Sequence, residues 1–133
     1  MSGIDIIGAL LLRDAEVVAF ASNERIKAGR LPEDAILPAF LVRTVSRVDW
    51  QPLKRRPTDR AVERIRVTVR AGSYDDQTLG IRLARAACIG FDGAIADALR
   101  VSVLTAGTGP DIIGPGNSFE QSQDFRVSFD AAA

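Results

Sequence analysis

From Arg64 to Ala71 polar and apolar side chains alternate without a break. Ile65, Val67, Val69 and Ala71 fall on one side, and Arg64, Arg66, Thr68 and Arg70 on the other. A period of two over this length predicts a half-buried strand at about residues 62–71. The stretch at about 40–50 reads the same way. Phe40, Val42, Thr44, Val48 and Trp50 share one face there, and Arg43, Arg47 and Asp49 the other. Two later strands are expected at about 99–106 and 119–130. In these, Leu99, Val101, Val103 and Thr105, then Phe125, Val127 and Phe129, take the apolar side.

The other periodic stretches repeat every three to four residues. Residues 4–21 predict a helix with Ile4, Ile7, Leu11 and Val18 on one face, flanked by Leu10 and Val17. Residues 74–90 predict a second. Ser73 stands at its N-cap, Asp75 and Asp76 lie in its first turn where the helix dipole favours acids, and Gly90 stops it. Leu79, Leu83, Ala86 and Ala87 would supply its core face. A short extended piece is expected at Arg25–Ala28, and Asp92–Asp97 reads as an Ala-rich continuation. Strands in antiparallel runs joined by two helices predict an α+β fold. The expected architecture is a two-layer sandwich, a mixed and mostly antiparallel sheet with both helices on one face, in a single domain over 1–133.

Two connections stand out. Residues 51–60, QPLKRRPTDR, join the first two long strands through prolines and basic residues, which predicts a mobile, solvated loop. Residues 107–116 are rich in Gly and Pro, but no Gly-Lys-Ser/Thr follows and no helix begins, so turn geometry explains them better than a phosphate loop.

Charge changes this picture. The chain has 17 basic and 17 acidic residues, yet across 43–70 nine Lys or Arg face three acids, a net of +6 that leaves −6 for the rest. Lys54, Arg55 and Arg56 form a solvated tip, a docking surface for an acidic neighbour, or a phosphate-binding patch. Neutral net charge and only Trp50 nearby argue against nucleic acid. As an interaction surface, the block nominates Lys54, Arg55 and Arg56 with Arg64, Arg66 and Arg70 on the outward strand face.

Composition narrows the chemistry. At 133 residues, 47% hydrophobic and 26% charged, the chain matches a soluble globular domain. No apolar run approaches a membrane span, the N-terminus does not resemble a signal peptide, and cytoplasmic folding is expected. The absence of histidine removes the commonest general base, and with the single Cys88 it leaves no cysteine–histidine zinc site. Carboxylates could still hold a hard cation. Asp75 and Asp76, adjacent on a helix, point apart, and Cys88 reads as a small core thiol. The expectation is no catalytic, cofactor or metal site.

Several segments together carry a family resemblance. They are the N-terminal helix with its acid-flanked Val17-Val18, GRLPEDAILPAFLV (29–42), ERIRVTVRAGSYDDQTLGIRLARAA (63–87) and the closing FRVSFDA (125–131). Over most of its length the chain resembles the tail terminator or tail-completion proteins of long-tailed bacteriophages, prophages and gene transfer agents. The resemblance implies a complete structural protein without catalytic residues. Such proteins close the tail tube as a ring, usually of six copies, and offer the surface on which the head joins. Implied partners are further copies of the chain, the tail tube protein and the head–tail connector protein. The implied location is the virion tail, assembled in the host cytoplasm. A neck adaptor and a small α+β ligand-binding or enzymatic domain using the 107–116 loop remain as alternatives.

Overall fold

The computed structural model describes residues 2–132. In chain order its elements are α1 (Gly3–Arg13), α2 (Ala15–Phe20), β1 (Ile26–Ala28), β2 (Ala39–Trp50), β3 (Thr58–Ala71) and α3 (Tyr74–Cys88). There follow β4 (Asp92–Ile95), β5 (Ala98–Thr108), β6 (Ile112–Ile113) and β7 (Phe119–Ala132). Single turns of 3-10 helix sit at Asn23–Arg25 and Pro115–Asn117.

A mixed sheet runs in the order β1-β2-β3-β7-β5-β4, with β6 added to β7. Only β1 and β2 run parallel. The central ladder, β3 on β7, continues without a register shift from Thr58 opposite Ala132 to Ala71 opposite Phe119. Because side chains alternate, this one register decides both faces of the sheet. Ile65, Val67, Val69, Phe125, Val127 and Phe129 are all fully buried, as are Val101 and Val103 on β5. They share one core cluster with Ile6, Ile7, Leu10, Leu11 and Val17 from α1 and α2, and with Ile81 and Ala84 from α3.

Close approach explains two glycines. A Cβ at Gly80 would collide with the Val69 side chain, and one at Gly3 would lie 2.8 Å from the side chain of Ile65. Both helices therefore lie directly on β3. Gly3 also donates its N–H to Glu63 Oε2 at 2.8 Å, so a carboxylate buried on β3 meets the positive end of α1.

Several boundaries differ from the expected ones, each for a local reason. The helix expected over 4–21 is two helices, and the fold has three. Asp14 is extended, and its Oδ1 accepts from the N–H groups of Glu16 and Val17 at 3.0 and 3.1 Å, capping α2. The core face of α3 is Gln77, Gly80, Ile81, Ala84 and Cys88, with Ala86 exposed. Gly80 sets that rotation, because the side without a side chain can come closest to the sheet. In β2 a bulge between Thr44 and Ser46 adds one residue. Beyond it the parity flips. Arg47 lies opposite Glu63 on the buried side, and Val48 and Trp50 lie opposite Val62 and Arg60 on the outer side. Residues 92–95, expected as a continuation, form β4. β3 begins at Thr58, which shortens the connection after β2 to residues 51–57.

Candidate interaction surface

The outer face of the central ladder is built from the polar half of the alternation. On β3 it presents Arg60, Arg64, Arg66, Thr68 and Arg70; opposite them on β7 stand Asp130, Arg126, Asp124, Ser122 and Glu120. Antiparallel pairing thus brings acids near the C-terminus onto the arginines of the basic block.

Asp124 is the hub. Its Oδ2 accepts from Arg64 Nε at 2.7 Å and Arg66 Nη2 at 3.2 Å, and its Oδ1 from Arg66 Nε at 2.9 Å. The side chain is only 6% exposed. Burial alone would raise the Asp124 carboxyl, but the hydrogen bonds and charges of Arg66 and Arg64 outweigh it and hold the group below its ordinary value. The Asp124 hydrogen bond in turn raises Arg66, against the opposing effect of burial. Arg64 also reaches the Ala106 carbonyl at 2.9 Å.

Towards one end of the ladder, Arg70 donates to Glu120 Oε2 at 2.6 Å and to the Pro32 carbonyl at 2.8 Å. Towards the other, Arg60 donates to Asp130 at 3.2 Å and to the Arg100 carbonyl at 2.7 Å. Arg47 pairs with Asp49 and Glu63. Five of the nine basic residues between 43 and 70 are therefore paired within the chain. Among the described residues, Arg43, Lys54, Arg55 and Arg56 form no ion pair.

The six nominated residues thus separate. Arg64, Arg66 and Arg70 lie together on β3, joined by Asp124 and Glu120. Lys54, Arg55 and Arg56 stand apart at the tip of the β2–β3 hairpin, all exposed. Beside them Leu53 is fully exposed and Trp50 is 71% exposed. Trp50, Pro52, Arg56, Arg60 and Arg100 line an open concavity of about 510 Å³ at the base of the tip.

The opposite end of the ladder is organised by residues that sequence reasoning did not single out. Fully buried Gln77 donates to Asp111 Oδ1 at 2.8 Å and to Gln121 Oε1 at 3.2 Å, and the Tyr74 hydroxyl donates to Asp111 Oδ2 at 3.2 Å. Gln121 donates to the Gly109 carbonyl at 2.9 Å. Gln123, also fully buried, accepts from Arg85 at 3.0 Å and Thr108 at 2.5 Å, and donates to Thr105 at 3.0 Å. These amides fasten the Gly-rich segment to α3 and β7. Gly107 and Gly116 take positive φ angles of 111° and 65°, which supply the turns this path needs. The one visible signal was Gln121 and Gln123, polar residues at positions that the β7 alternation reserves for the core.

Other chemistry is sparse. Burial pushes the Cys88 thiol up to about 12, so at neutral pH it is not a thiolate. Among the described residues, no three His, Cys, Asp or Glu side chains are grouped to hold a metal ion. No helix of the described residues is long and apolar enough to cross a membrane.

No protein-family model matches the chain, and no curated protein sequence matches it. Among solved structures it is similar to a chain of the structure described as "Virion of native gene transfer agent (GTA) particle". The TM-score is 0.66 at 12% sequence identity, with 94% of this chain and 92% of that chain covered. At that identity the likeness establishes a shared fold.

Proposed function

We propose that this chain is a structural protein of a phage-like virion, which closes the end of a tail tube as a ring and offers the surface on which the head joins. The observation that carries the reading is the fold shared with a gene transfer agent virion chain over nearly the full length of both. The resemblance in residues 29–42, 63–87 and 125–131 supports the finer assignment to tail termination and a ring of six. The reading includes a single domain whose architecture is a two-layer sandwich, with its helices on one face of the sheet and the other face left for contacts. It also includes a non-enzymatic role and a place in the virion tail, beside the tail tube protein and the head–tail connector.

The interaction surface within this reading is the basic block. Lys54, Arg55 and Arg56 are free to meet an acidic neighbour. Arg64 and Arg66 keep about half of their side chains exposed while holding Asp124. Arg70 contributes by fixing the chain at Pro32 beside the surface. The test is to incubate the purified protein with isolated tail tubes and, separately, with portal rings, and to image both by electron microscopy. A terminator adds one ring at one tube end and leaves portals bare. Binding to portals alone makes the chain a neck adaptor, and binding to neither overturns the reading.

A further inference from the structure

The two ends of the β3–β7 ladder carry opposite chemistry. At the hairpin tip, Trp50 and Leu53 are exposed beside Lys54, Arg55 and Arg56, which make no ion pair among the described residues. At the far end Tyr74, Ile112 and Ile113 are exposed beside Asp75, Asp76 and Asp111, also without ion pairs among the described residues. The segments 72–77 and 107–125 contain no Lys or Arg, and their two other acids, Glu120 and Asp124, are taken by Arg70, Arg64 and Arg66. Three unpaired cations around an apolar pair thus match three unpaired carboxylates around an apolar trio.

Geometry keeps the two apart within one chain. The far patch is held together by the Tyr74–Asp111 hydrogen bond, the edge contact of Tyr74 with Phe119, and the pairing of Ile113 with Phe119. Phe119 stands opposite Ala71, the last residue of β3, and the tip precedes Thr58, its first. The 14 residues of β3 separate the patches by on the order of 40 Å of paired strand. A rigid ladder cannot bring its own ends together.

From this we infer that the basic apolar tip of one copy docks on the acidic apolar patch around Tyr74, Ile112 and Ile113 of a second copy. The contact joins two unlike surfaces, which is the kind of interface that propagates head to tail and closes into a ring when the rotation allows. Apolar side chains at its centre supply the adhesion, and the surrounding charges set register and speed encounter. The closed-ring form of this inference rests on the proposed ring function; the pairing of the two patches does not.

Cysteine cross-linking tests both separately. Leu53→Cys in one preparation is mixed with Ile112→Cys in another, and oxidation is followed on a non-reducing gel. The control pairs Leu53→Cys with Ala86→Cys, at an exposed site on α3. Buried Cys88 stays in all chains. The tip–patch pair should cross-link about tenfold faster than the control, the ratio a cluster of exposed ion pairs around an apolar contact can supply. Adding Lys54→Glu, Arg55→Glu and Arg56→Glu to the first chain should return it to the control rate. Adding Asp75→Lys and Asp76→Lys to the second chain should then restore the fast reaction. Equal rates for tip–patch and control pairs, or no restoration by the double reversal, overturn the contact. A chain carrying both Leu53→Cys and Ile112→Cys should give ladders beyond two copies. Fast cross-linking that stops at reciprocal dimers upholds the contact and contradicts the ring.

Discussion

The arginines of β3 and the cations of the hairpin tip belong to one basic block in the sequence, and the fold treats them in opposite ways. Arg64 and Arg66 share Asp124, and Arg70 closes on Glu120, so strand pairing across fifty residues or more gives each arginine a carboxylate partner. Lys54, Arg55 and Arg56 precede Thr58, where pairing with β7 begins, and form no ion pair among the described residues. The lesson is that a local charge count measures surface charge only where no partner strand lies alongside. The same contrast separates structural from available charge. The β3 arginines bind the sheet together, and the tip cations are exposed to solvent.

The sharpest break of that comparison sits on the buried side of the same strand. Val67→Asp places a carboxylate at a fully buried position of the apolar core cluster. It should cost more than about 4 kcal/mol and leave the protein largely unfolded, read by circular dichroism and thermal melting. An unchanged melting temperature would mean that the faces of β3 are reversed.

Removing the hub of the paired region is the next largest effect. Asp124→Ala strips both Arg64 and Arg66 of their carboxylate and should cost about 1–3 kcal/mol. The lower half of that range is expected, because both guanidinium groups can turn to water. A denaturant midpoint indistinguishable from that of the wild type would show that these pairs are ornamental.

Acid should act through the same group. Asp124 titrates lower in the folded chain than in the unfolded one. Its contribution is therefore complete above the ordinary carboxylate value of about 4, and is lost as the pH falls through the depressed folded value. Denaturant titrations below pH 4 should show a smaller loss of stability in Asp124→Asn than in the wild type. Parallel curves would place the acid sensitivity elsewhere.

How much of this was legible in the sequence follows from distance along the chain. The alternation in β3 and β7 told which apolar residues are buried, because each strand there keeps one register throughout, but not that Arg70 and Asp124 on the outer face are buried as well. It failed in β2, where the extra residue at Val45 turned Val48 and Trp50 outward, and a bulge leaves no composition signature. The break at Asp14 was readable in principle, since an acid before Glu16 and Val17 is a capping pattern, but the apolar period runs through it. Cys88 was legible as a core thiol from its apolar neighbours. The Asp124 hub and the Gln77–Asp111–Gln121 links were not, because each joins residues whose pairing depends on which strands become neighbours. The basic tip could be located from the sequence, and its lack of an ion pair among the described residues could not.

The smallest effect on folding is expected at the tip. Lys54→Glu, Arg55→Glu and Arg56→Glu together should shift stability by less than about 0.5 kcal/mol, as exposed positions without partners do. Trypsin should cut the wild type first at Lys54 or Arg55, where the backbone is exposed and outside the ladder, and not at Arg56, which Pro57 follows. First cleavage at Arg64 or Arg66 would reverse the roles of the two regions.

Assembly through the basic tip is read from the mass of the protein in solution, measured by sedimentation velocity at rising concentration and at low and high salt. At low salt and high concentration the wild type should form a single ring-sized species, of six copies if the family resemblance holds. Salt should disperse it, and the tip triple variant should remain a monomer. Monomers of both proteins at every concentration and salt, or equal assembly of both, would contradict it.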